Sequence, residues 1–323
     1  MSPPRVVLAV LAVSATTVAG LAAAEPAPGA RIALGAYIPN ATHQPRAIDR
    51  YAGRVGRRPL IVASYKQWDT RAFVRDELRA VWRRGALPMI TWEPWSYHGR
   101  RFPLGAIARG RYDGYVRRAA RAAARWNRPI LLRFAHEMNG NWYPWGRGVD
   151  GNTPRRFKNA WRHVVRIFRR NGARKVRWVW TPYVNQSGRL PFRRLYPGSR
   201  YVDWVGLDGF NWGASRGAWQ PFGKIFGDSY RQLRRISNAP ILIGETGSAE
   251  AGGSKRSWVS RALRRQLPRF RKVRAVVWFS AHGVGADFRV DSSRSALRAF
   301  RRGAAKGTYD SSRRRLLSFG RGR

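Results

Sequence analysis

Eight short apolar runs recur along the chain, at 32–37, 60–65, 87–92, 130–135, 176–181, 202–208, 240–245 and 275–280. Each is too short for a helix and rich in β-branched or aromatic residues. None alternates strictly between apolar and polar, which is the pattern of strands buried on both faces of a parallel sheet. Between them lie stretches of helical length, 69–84, 112–126, 154–170, 222–236 and 257–270, with apolar residues at helical spacing; 106–123 is rich in alanine. Eight strands alternating with helices over about 250 residues predict an α/β fold of the (β/α)8 TIM-barrel type, whose sites lie at the C-terminal strand ends. A doubly wound open sheet is the alternative. Its nucleotide-binding version would need a glycine-rich fingerprint opening a helix, and no GxGxxG or GxxxxGK[ST] stands where one is required.

Polar and aromatic residues gather just after these runs: Trp92, Glu93 and Trp95 after the third, His136 to Trp145 after the fourth, Asp208 to Trp212 after the sixth, Glu245 to Ser248 after the seventh. The chain holds only six glutamates, and Glu137 and Glu245 each sit where an apolar run stops. Retaining glycoside hydrolysis needs one carboxylic acid to protonate the leaving oxygen and one carboxylate, about 5 to 5.5 Å away, to attack the anomeric carbon. Strand ends of a barrel converge on one mouth, so sequence distance is no obstacle. His136 is placed to hydrogen-bond the sugar or the acid. Glu93 reads equally as a sugar contact or as the partner of an arginine, and Asp208 as a sugar-hydroxyl contact or a support for one. Trp92, Trp95, Trp142, Trp145, Trp212 and Trp278 fall at or beyond strand ends, where flat rings bind the apolar face of a pyranose. Trp82, Trp126 and Trp161 fall in helical patterns and read as core. Asn211 lies beside Trp212 and joins the candidate substrate contacts. The five histidines show no HExxH or similar spacing, so neither a metal nor another cofactor is expected, and Gly244 to Ser248 is not a serine-hydrolase elbow.

The motif Arg133, Phe134, Ala135, His136, Glu137, Met138, Asn139, Gly140 resembles the acid/base motif of glycoside hydrolase family 26, best known for β-mannanases, with members acting on mixed-linkage β-glucan or β-1,3-xylan. Gly244, Glu245, Thr246 and Gly247 resemble its nucleophile motif, and Trp278 its subsite tryptophan. The likeness spans roughly 32–300. It implies Glu137 as acid/base, Glu245 as nucleophile and β-1,4-mannan as substrate. One departure stands out. The family usually places a tyrosine after the sixth strand whose hydroxyl orients the nucleophile; here that position is Phe210, so Glu245 is expected to lose a hydrogen bond unless Tyr183 or Asn211 replaces it. The alternative at function level is a carbohydrate-binding or wall-associated barrel with weak or no catalysis.

Composition bounds this picture. At 323 residues, 44% hydrophobic, with 15 Trp, 12 Tyr and 14 Phe, the chain can bury a full core. It has no cysteine, so packing alone must hold it. Lys and Arg number 63 against 17 Asp and Glu, a formal charge of +46. The arginines spread along the helical stretches instead of gathering in one arm, so they read chiefly as solvated helix faces. A contact with an anionic wall polymer is the second reading, and specific nucleic-acid binding ranks last. Residues 1–24, with Arg5, an apolar stretch and a small-residue end, read as a signal peptide of a secreted protein, an uncleaved membrane anchor being the alternative. The catalytic domain is expected over 30–302, followed by a basic flexible tail over 303–323, and the whole is expected to act as a monomer.

Overall fold

The structure, a computed structural model, describes residues 31–184, 191–283, 285–309 and 311–319. The expected signal peptide lies outside the described residues. Eight parallel strands close into a barrel in sequence order: β1 (Ala33–Tyr37), β2 (Ile61–Gln67), β3 (Leu87–Glu93), β4 (Ile130–Phe134), β5 (Val176–Trp180), β6 (Trp204–Asn211), β7 (Ile241–Ser248) and β8 (Val273–Phe279). Around it run α1 (Arg46–Val55), α2 (Arg75–Arg83), α3 (Leu104–Ala108), α4 (Asp113–Trp126), α5 (Pro154–Arg170), α6 (Phe222–Ile236), α7 (Lys255–Arg261), α8 (Arg294–Ala304) and a short α9 (Arg313–Ser318).

Strand alternation divides the apolar residues into two cores. Inward residues such as Ala33, Ile61, Met89, Leu131, Val179 and Val277 fill the barrel, while outward ones meet the helices. The longest helix, α5, starts where its sequence says it should. Pro154 stands at the first turn, where its missing N–H costs nothing, and the Thr153 side chain accepts from the Arg156 N–H at 3.2 Å. Asn127, left-handed at φ 48°, ends α4.

The C-terminal segment corrects an expectation. The stretch 303–323 was expected to be flexible for want of an apolar period, yet its described part closes the N-terminal end of the barrel. Tyr309 and Leu316 are each about 1% exposed. The Tyr309 hydroxyl donates to the Leu263 carbonyl at 2.6 Å, and Ile32 N–H, just before β1, donates to Thr308 O at 2.7 Å. Phe319 meets Trp204 edge-on, and Arg313 lies over the Trp82 ring at 3.8 Å. A few widely spaced apolar side chains are enough to plug a barrel, and so short a pattern carries no periodicity.

Candidate active site

Two local distortions bring the acids together. At the end of β4, Ala135 and Glu137 both take left-handed backbone angles, φ 45° and 52°. Such angles are uncommon for residues with a Cβ and collect at functional sites. Consecutive residues of a regular strand face opposite ways; here the kinks turn His136 and Glu137 toward the same mouth. Glu137 N–H is fixed by Thr181 O at 2.8 Å. In β7 the register slips: Leu207 pairs with Ile243 but Asp208 with Glu245, leaving Gly244 as the extra residue of a bulge. That bulge puts Glu245 on the inward face. A Cβ at Gly244 would stand 2.6 Å from Asp208 Oδ1 and 2.9 Å from Arg133 Nη1, so only glycine fits.

Arg133, wholly buried among apolar neighbours of β4, organises the floor. Its Nη1 donates to both oxygens of Asp208 at 2.8 and 2.7 Å, its Nε and Nη2 donate to Thr91 Oγ1, and Nη2 also donates to Glu245 Oε1. Burial works against its charge, but Asp208 and then Glu245 hold it firmly protonated. Glu245 Oε1 receives a second donor, the Tyr65 hydroxyl at 2.5 Å.

Glu137 and Glu245 each keep about 6% exposure, and one oxygen of each lies within 4.8 Å of the other and of ligand atoms on His136 and Asp208. Burial, reinforced by the charge of Glu245, raises the Glu137 pKa to about 8. The Trp142 indole N–H, donating to Glu137 Oε2 at 2.6 Å, pulls the other way. His136 is held neutral, well below its usual pKa, by burial and by Arg133, and its buried Nδ1 has no hydrogen-bond partner among the described residues. Glu93 bonds Gln67 Nε2 at 2.7 Å and Trp95 Nε1 at 3.2 Å, and burial raises its pKa to about 7. The four clustered side chains resemble a metal cradle by distance alone. The guanidinium of Arg133, bound to two of them, already occupies the cationic role there.

The expected residues thus divide. Glu137, Glu245, His136, Glu93 and Trp142 meet at the mouth. Asp208 lies beneath it, wholly buried, as the partner of Arg133 and not as a sugar contact. Trp145 is also beneath, donating to His136 O at 2.6 Å and stacked on Tyr143 at 4.4 Å. Trp212 sits at the rim, bonding the Tyr183 hydroxyl at 3.0 Å under the Arg216 guanidinium. Three more expectations are corrected. Trp92 faces outward among Trp68, Phe73 and Phe168, with its indole N–H on Tyr115. Trp278 likewise faces the helices, packed on Trp258 and Phe300 and donating to Phe288 O at 2.8 Å, so Phe279 takes the inward place next to the mouth. Asn211 is buried and bonded to Ser248 and to Gln220 N–H, out of reach of a substrate. Nor does Tyr183 or Asn211 supply the hydroxyl missing at Phe210; Tyr65 of β2 binds the nucleophile candidate instead.

Tyr65 and Arg133 were not among the expected site residues. A signal for each was present: an arginine inside the apolar run 130–134 must find buried partners, and Tyr65 heads the polar end of β2, Tyr65, Lys66, Gln67.

Comparisons with known proteins agree with this geometry. The family model for glycosyl hydrolase family 26 matches residues 115–256. Endoglucanase H of Acetivibrio thermocellus is 36% identical over 282 residues, covering 85% of this chain and 30% of that protein. Mannan endo-1,4-β-mannosidase A and B of Caldalkalibacillus mannanilyticus is 25% identical over 252 residues, covering 66% of this chain and 46% of that protein. The chain therefore spans 30% and 46% of the length of these two curated relatives. Among solved structures, the catalytic domain of the Bacillus sp. JAMB-750 endo-β-1,4-mannanase superposes with a TM-score of 0.68 at 16% identity over 90% of each chain, which speaks to the fold. Residues 115–256, the stretch that carries Glu137, Asp208 and Glu245, are thus similar to glycosyl hydrolase family 26.

Proposed function

We propose that the protein is a retaining endo-β-glycanase in which Glu137 is the acid/base and Glu245 the nucleophile. The observation that carries this reading is the pairing of two nearly buried glutamates within 4.8 Å, one with its pKa raised to about 8 and the other held by two donors. The short separation suits direct attack by a carboxylate; an inverting pair needs about 6.5 to 9.5 Å to hold a water between.

In the first step a Glu245 oxygen forms a bond to the anomeric carbon while the glycosidic C–O bond breaks, and the leaving oxygen takes the Glu137 proton. The glycosyl ester has no charge on Glu245, so part of what raised the Glu137 pKa disappears, that pKa falls, and Glu137 stays deprotonated, free to act as the general base. It then takes a proton from water, whose oxygen bonds the anomeric carbon as the ester bond breaks and Glu245 regains its charge. Neutral His136 stands beside Glu137 in the wall of the cleft. Trp142, at 53% exposure, and Tyr97, at 74%, offer ring faces along the rim.

The substrate proposed is a β-1,4-linked hexan. Mannan follows from the relatives named mannanases, and β-glucan has a claim of its own because the relative matching 85% of this chain is named an endoglucanase. Initial rates on mannan, glucomannan, lichenan and xylan decide between them. Replacing Glu137 or Glu245 by Gln is expected to lower reducing-sugar release at least 10³-fold, and azide should restore turnover to Glu245→Ala. Survival of hydrolysis in both Gln variants would overturn the assignment.

A further inference from the structure

The carboxylate of Glu245 is bound asymmetrically. Its Oε1 accepts from the Tyr65 hydroxyl at 2.5 Å and from Arg133 Nη2, while Oε2 takes no hydrogen bond from any described residue. Tyr65 is itself fixed. Its ring meets Tyr37 edge-on at 4.9 Å and His136 at 6.0 Å, and the Arg133 guanidinium lies 5.9 Å over its face. Burial and the neighbouring Glu245 charge keep its hydroxyl protonated well beyond neutral pH, so it remains a donor. The inward face of β6, by contrast, offers Phe210, packed on Phe288 at 4.6 Å with no hydroxyl to give.

We infer that Tyr65 is the positioning residue of the nucleophile: with Arg133 it occupies Oε1 of Glu245, so that Oε2 is the oxygen that attacks. This rests on the glycosidase reading and deepens it. When Oε2 bonds to the anomeric carbon, Oε1 becomes the ester carbonyl oxygen, still holding both donors. When water displaces the sugar, the electron pair of the breaking C–O bond returns to a carboxylate whose charge Tyr65 and Arg133 already face. The second step therefore depends on Tyr65 more than the first, because only there does the carboxylate depart as an anion. A hydroxyl supplied by β2 thus does the work for which β6 has no group.

The test uses Tyr65→Phe and a chain carrying 2,3-difluorotyrosine at position 65, a stronger donor of nearly equal volume. Both are assayed with a 2,4-dinitrophenyl β-glycoside of the backbone that the wild type cleaves. Tyr65→Phe is expected to lower kcat about 10- to 100-fold and to release a burst of one dinitrophenolate per molecule, with the glycosyl adduct visible by intact mass. The acidic limb of its kcat/KM profile should move up by about one pH unit, and that of the difluorotyrosine protein should move down. A role confined to packing would lower activity with both limbs in place and no burst, and would overturn the inference. So would a Tyr65→Phe enzyme indistinguishable from wild type. Failure of the parent reading is distinct: Glu245→Ala would then keep full hydrolysis, which sinks both claims, whereas an inactive, azide-rescued Glu245→Ala beside an unaffected Tyr65→Phe sinks only this one.

Discussion

At the scale of single residues, the site is a problem of placing charge where water is scarce. Arg133 is wholly buried, and an isolated buried guanidinium would be prohibitive; Asp208 on β6 and Glu245 on β7 make it tolerable, and it in turn aligns them. Gly244 is the smallest part of that arrangement and the least replaceable. Gly244→Ala is expected to push Asp208 or Arg133 aside, destabilise the fold by about 1 to 3 kcal/mol and lower kcat/KM far more than that figure alone implies. Chemical denaturation and kinetics on the same preparation check both. That Glu137 and Glu245 were the acids to examine could be read from the sequence, since only six glutamates exist and these two end apolar runs. The role of Asp208 could not, because a strand-end aspartate looks the same whether it faces sugar or a guanidinium two strands away.

Among the elements, the loop that follows β4 does most to set the chemistry. Gly140 lets the chain fold back so closely that a Cβ there would stand 2.4 Å from the Trp142 ring, and this brings the indole N–H onto Glu137. Asn139 ties the loop to the segment that follows β5 through reciprocal bonds with the Tyr183 backbone, both 2.8 Å. Glu137 must carry a proton to act as acid, so with its pKa raised to about 8 the kcat/KM profile should fall above that pH. The Trp142 bond favours the charged form and holds that value down. Trp142→Phe should therefore shift the alkaline limb upward by about half a unit to one unit, measured on a small aryl glycoside. The tryptophans show where an element's pattern misleads. Trp92 and Trp278 lie at strand ends as expected, but alternation aims them at the helices, and a register one residue out exchanges a sugar platform for a core residue.

For the molecule as a whole, closure of the barrel is what makes remote residues neighbours, and the C-terminal segment takes part in it. Deleting 307–323 removes Tyr309, Leu316 and Phe319 from the barrel's N-terminal end, together with the Tyr309 bond to Leu263. Thermal unfolding of the truncated protein is expected about 5 to 15 °C lower, while the geometry at the opposite end, and so kcat measured at low temperature, stays close to that of the full chain. An unchanged Tm would show the segment to be dispensable. The net charge of +46 belongs to this scale too; arginines lie along the outer helices and also reach the rim, where Arg216 covers the Trp212 ring.

By itself the sequence determined the eight strands and most of the helices between them, because burial on both strand faces writes continuous apolar runs, and it singled out the pair of glutamates because so few carboxylates end such runs. Tertiary structure alone decided which side chains meet. The bulge at Gly244, the two left-handed residues around His136 and the crossing of Tyr65 from β2 to Glu245 on β7 are contacts between segments that no local pattern links. Their energies come from burial and hydrogen bonds that exist only once the barrel has closed.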